Sequence, residues 1–79
     1  MKAYGHPRGT PLNDDGLREL SEISFTASPE QLREISSFLL VAAAEMERMG
    51  KDYDHVHIQD HSDEWQESWP DIVISKDVG

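Results

Sequence analysis

Apolar positions along this chain follow two different rhythms. In Leu20 to Ala27 (LSEISFTA), Ile23 and Phe25 point one way while Glu22, Ser24 and Thr26 point the other. A period of two predicts a strand with one covered face, placed within residues 17–27. Beyond it the spacing lengthens. Leu32, Ile35, Leu39, Ala42, Ala43, Met46 and Met49 recur at helical intervals, predicting an amphipathic helix over 29–49. Its start is written in Ser28-Pro29-Glu30-Gln31. Ser28 can cap the free amides, Pro29 suits the first helical position, and Gln31 can close a capping box. Gly50 can take the left-handed conformation that ends the helix. Phe38 and Val41 fall off the stripe, at ~100° per residue, toward the charged side. They are candidates for a second covered face, met by another subunit or by the N-terminal segment.

Alternation returns after Gly50. In Asp54 to Gln59 (DHVHIQ), Val56 and Ile58 oppose His55, His57 and Gln59, predicting a strand over 54–59. The β-branched run DIVIS predicts a last strand over 71–75, behind Pro70. Residues 1–16 read as a short first strand and a turn-rich loop, and 60–70 as a loop. The order is ββαββ, within one domain spanning 1–79. The expected fold is α+β: an antiparallel four-stranded sheet with the long helix packed on one face. Ile23, Phe25, Val56 and Ile58 would meet the helix stripe, leaving His55, His57 and Gln59 on the open face.

Charge narrows the function. Sixteen acidic residues against seven basic ones give a net charge of -9. Such a chain is repelled by nucleic acid and by anionic lipid, and its electrostatic match is a basic protein or a cation. The absence of cysteine excludes disulfides and thiolate metal sites. No apolar run follows Lys2 as a secretory signal would require. The longest run, Phe38 to Ala44, is far short of the ~20 residues of a membrane span. A cytoplasmic location is expected.

The acidity is concentrated. Asp52 to Asp71 holds seven carboxylates, three of the four histidines and both tryptophans, with no Lys or Arg. Indoles rimmed by carboxylates have the composition of a binding hot spot, so Asp60, Asp63, Glu64, Trp65, Glu67 and Trp69 are the candidate partner-binding residues. Trp69, beside Pro70, is expected to pack inward and Trp65 to stay accessible. His55 and His57, two apart on a strand, face the same way and could share a cation with His61, Asp60 or Asp63. That is the alternative reading, a metal-binding protein; a third is a homodimer assembled through Phe38 and Val41 or through an exposed sheet edge. Gln59 stands where a third alternating histidine would be needed for phosphate transfer. There is no glycine-rich phosphate loop, nucleophile elbow or thiol, and no carboxylate pair is set as acid and base. Neither enzymatic activity nor a cofactor is expected.

The strand LSEISFTA, the capped helix SPEQLREISSFLLVAAAEMERMG, the segment DYDHVHIQD and the ending EWQESWPDIVIS together resemble a family of small bacterial proteins. These are the immunity proteins of polymorphic toxin systems numbered thirty-two among such groups. The resemblance spans roughly Leu17 to Ser75. It implies an α+β fold and a role in binding and neutralising a cognate toxin, and it carries no residue-level binding site.

Overall fold

The computed structural model describes residues 1–9 and 17–77. Residues 10–16, most of the predicted first loop, lie outside that range. Among the described residues seven elements follow in order: β1 (Ala3–Gly5), β2 (Arg18–Leu20), α1 (Pro29–Met49), a 3-10 turn (Gly50–Asp52), β3 (His55–His57), α2 (Ile58–His61) and β4 (Val73–Ser75).

The long helix runs over the predicted residues. Ser28 Oγ accepts from the Gln31 amide at 3.1 Å, and the Gln31 side chain accepts from the Ser28 amide at 2.8 Å. The reciprocal pair satisfies two amides that a helix start otherwise leaves orphaned. Gly50 closes the helix at φ 55°, its N–H donating to Met46 O. That is the left-handed region in which glycine carries no Cβ penalty.

The sheet differs from expectation. The structure is α+β, with one long helix and two separate antiparallel ribbons of two strands each, β1–β2 and β3–β4. Ala3 pairs with Leu20 and Gly5 with Arg18; His55 pairs with Ser75 and His57 with Val73. Two local facts keep them from forming one sheet. The second strand contains Arg18 to Leu20 only, and the alternating segment after it, with Ile23 and Phe25, is exposed. The third strand stops at His57 because Ile58 turns into the single-turn α2, and the Ile58 amide donates to Ile72 O at 2.9 Å.

The core is small and belongs to α1 and the chain after it. Phe38 (1% exposed) and Ile58 (0%) are its largest fully buried side chains, joined by Ile35 and Trp65. Val56, Trp69, Ile72 and Ile74 close its edge. The buried face of the helix is therefore Ile35, Phe38 and Ala42. Leu32, Leu39 and Met49 of the predicted stripe are exposed. The physical reason is volume: Phe38 is the bulkiest apolar side chain near the middle of the helix, and packing it against Ile58 turns the buried face toward it. Phe38, expected to be covered by another subunit or by the N-terminal segment, is covered instead by the residues that follow α1. Val41 remains exposed.

The N-terminal ribbon contributes nothing to this core, since no side chain of β1 or β2 is buried. The Cα radius of gyration is 13.3 Å, above the ~12 Å of a fully compact chain this long. Polar tethers link the start of the chain to its second half. The Met1 amino group lies 3.3 Å from Asp77 Oδ2, and Arg8 donates to Ser68 O at 3.2 Å.

Candidate functional site

The residues between β3 and β4 are held by a few specific contacts. The Ser62 amide donates to Ile58 O at 3.1 Å, ending α2. Two tight turns follow, in which the Trp65 amide donates to Ser62 O and the Trp69 amide to Gln66 O. Trp65 Nε1 donates to Pro70 O at 2.9 Å, so the indole ties the first turn to the end of the loop. The two indoles meet edge to face, with centroids 4.9 Å apart and planes at 82°, an arrangement the ring quadrupoles favour.

Their burial reverses the expected division. Trp65, 9% exposed, sits in the core and Trp69 is half-buried. The hydrogen bond explains the order: Trp65 can be buried because its N–H reaches a carbonyl, which removes the desolvation cost of the donor. The indoles thus brace the loop, and its acids are left outward. Asp60, Asp63, Glu64 and Glu67 are all exposed. Trp69 also lines an open groove of about 500 Å³, together with Glu64 and Gln66 of the loop and Glu30, Arg33 and Glu34 of α1. Glu30 and Glu34 extend the acidic surface onto the helix. Position along the sequence could not have placed them there, because the loop meets the helix start only through the fold. Arg8 is the other surprise: its guanidinium reaches Ser68 in a loop that has no basic residue of its own.

The three candidate metal ligands also come together, but not as ligands. His55, His57 and His61 line a hollow of about 400 Å³ with Phe38, Val41, Glu45 and Asp60. His55 and His57 touch edge to face at 5.0 Å, and the His61 ring lies 5.5 Å from Phe38. The Nδ1 atoms of His55 and His57 are each 2.6 Å from a carboxylate, of Asp54 and Asp71 respectively. Among the described residues, no three His, Asp or Glu side chains are grouped so that they could hold a metal ion. The His57–Asp71 contact instead fastens the entry of β4 to β3. Tyr53, just past the helix end, does similar work nearby. It is buried, and its hydroxyl donates to Ile74 O at 2.6 Å. Burial pushes its pKa up, and the charges of Asp54 and Glu45 add to the effect.

Residues 22–77, well over half of the chain, match the family described as Immunity protein 32. The chain belongs to that family. No curated protein and no solved structure gives a significant match. The stretch matched to the Immunity protein 32 family begins after β2, so it takes in α1, the core and the acidic loop while leaving out the β1–β2 ribbon. No helix among the described residues is long and apolar enough to cross a membrane.

Proposed function

We propose that this chain is a non-enzymatic immunity protein that binds a cognate toxin and neutralises it by placing carboxylates in a basic cleft. Family membership supports the toxin as partner. The observation that carries the surface is the outward set of Asp60, Asp63, Glu64 and Glu67 on a loop pinned by the Trp65–Pro70 hydrogen bond. Carboxylates on a loop whose backbone is braced cost less ordering on binding than those of a free loop, and they steer a basic partner over distances set by ionic strength. Trp69, half-buried at the groove beside Glu30, Glu34 and Glu64, offers an apolar ring face over which a lysine or arginine of the partner can stack. Trp65 acts by holding the loop in shape. The protein acts in the cytoplasm of the cell it protects.

The test is co-expression with the cognate toxin, together with titration of purified components. The wild-type chain restores growth and binds with an affinity that falls as salt rises. The variant carrying Asp60→Asn, Asp63→Asn, Glu64→Gln and Glu67→Gln binds at least ~10-fold more weakly, with a flatter salt dependence. Equal affinity and equal salt slope for the two proteins would remove this surface from consideration.

A further inference from the structure

Helix α1 uses one side for the core. The opposite side carries Leu40 among small and charged residues, with Leu39 at its flank, and nothing in the described chain covers Leu40. Leu40 is 72% exposed and Leu39 45%. Ser36 and Ala43, both exposed, lie beside them and are small enough for another helix to approach closely. Exposed leucines on a helix are ordinary when they occur singly; what singles out this face is its charge pattern.

Arg33 precedes Leu40 by seven residues and Glu47 follows it by seven. Seven residues are close to two helical turns, so all three fall on one line along the helix. Both charged side chains are exposed, and neither belongs to the ion pairs seen within the described chain. A two-fold axis through Leu40, perpendicular to the helix, turns this line onto itself in the opposite direction. It brings Arg33 opposite Glu47 of a second copy and Glu47 opposite Arg33, with Leu40 on Leu40 between them. The face is thus complementary to itself, as a symmetric interface requires.

We infer that a second copy of this chain covers this face, its α1 antiparallel to the first and centred on Leu40. Two arginine–glutamate pairs fix the register, and the leucines with Ser36 and Ala43 fill the contact. The occupant is a like chain because the opposite charges sit symmetrically about one apolar residue, a placement that a non-identical partner has no reason to match. Arg33 also lines the groove beside Trp69 and Glu64, so the two surfaces adjoin at that residue, but the acidic loop itself takes no part in this contact and the inference does not rest on the proposed function.

Sedimentation velocity on the full chain tests it, from ~1 to ~300 μM at fixed ionic strength. The wild type shifts from monomer to dimer across that range. Leu40→Glu stays monomeric, because the two-fold axis sets the new carboxylate of each copy against that of the other at the centre of the contact. Its heteronuclear NMR spectrum shows the fold retained. Arg33→Glu weakens the dimer at least ~10-fold. Arg33→Glu combined with Glu47→Arg restores it to within ~3-fold of the wild type, since the reversed pairs meet again. A wild type that remains monomeric throughout overturns the inference. So does a Leu40→Glu protein that dimerises normally, or a double reversal that binds no better than Arg33→Glu alone.

Discussion

The described residues form two hairpin-like ribbons of equal size and unequal standing. Each has two three-residue antiparallel strands in regular register. β3–β4 leans on α1 through Val56 and Ile74, and is followed or preceded closely by Tyr53, Ile58 and Ile72 in the covered interior. β1–β2 has no buried side chain and is tethered by polar contacts that include Met1 to Asp77 and Arg8 to Ser68. An isolated two-stranded ribbon is marginal in water, and packing against a helix is what makes one persist. The same local geometry is therefore braced in one place and dependent in the other, and buried apolar area is a large part of the difference.

The sharpest way to break this contrast is to truncate one phenylalanine on each side of it. Phe38→Ala removes a fully buried ring and should destabilise the chain by about 3–5 kcal/mol in urea unfolding. A chain this long is stable by only ~4–12 kcal/mol, so the variant is expected to be partly unfolded near body temperature. Phe25→Ala, on the exposed segment after β2, should change stability by no more than about 0.5 kcal/mol. Equal costs would mean that the N-terminal segment packs against something after all.

Tyr53→Phe gives a smaller effect on the packed side. It deletes the hydrogen bond to Ile74 O and should cost about 1 kcal/mol. It also carries a pH signature. The folded-state pKa of Tyr53 is raised, so the folded chain holds this proton more tightly than the unfolded one. The contribution is complete below the ordinary tyrosine pKa of about 10 and is lost as pH rises through the folded value. The wild type should lose stability above ~pH 10 more steeply than Tyr53→Phe, measured as urea midpoints on both proteins. Parallel curves would show that the hydroxyl is not desolvated.

The smallest effect belongs to the other ribbon. A Cβ added at Gly5 would lie 3.1 Å from Leu20 Cδ1, and that leucine, 38% exposed, has room to swing aside. Gly5→Ala should move stability by no more than about 0.5 kcal/mol, while a comparable intrusion beside Ile58 would be felt throughout the core. Unfolding midpoints again decide, and a loss of about 2 kcal/mol or more, the size of a core truncation, would place the first ribbon inside the cooperative unit.

The helix was the most legible part of the sequence because its signals are local. Ser28, Pro29, Gln31 and Gly50 specify its ends through contacts made within a few residues. The sheet was less legible because strand pairing is a tertiary choice. The alternation of Ile23 and Phe25 is compatible with a covered strand, yet Ile58 and Trp65 already occupy the side of α1 that such a strand would need. Alternation from Asp54 to Gln59 hid the turn into α2, since the Ile58 amide finds its partner at Ile72, fourteen positions further on. The same limit applies to the tryptophans. Composition marked the acidic loop as unusual, and its carboxylates do face outward, but which indole was interior depended on Trp65 reaching Pro70 O. Glu30 and Glu34, beside that loop in space, could be found only from the fold.

The edge-to-face indoles have a practical consequence. Both emitting side chains of this protein lie within one loop, and the more interior of the two is shielded from water. Intrinsic fluorescence will therefore follow the fate of that loop and the helix beneath it, and will be blind to fraying at the other end. A single optical unfolding curve can look simple while the first ribbon has already come away, and a dye placed near Tyr4 would be needed to see it leave.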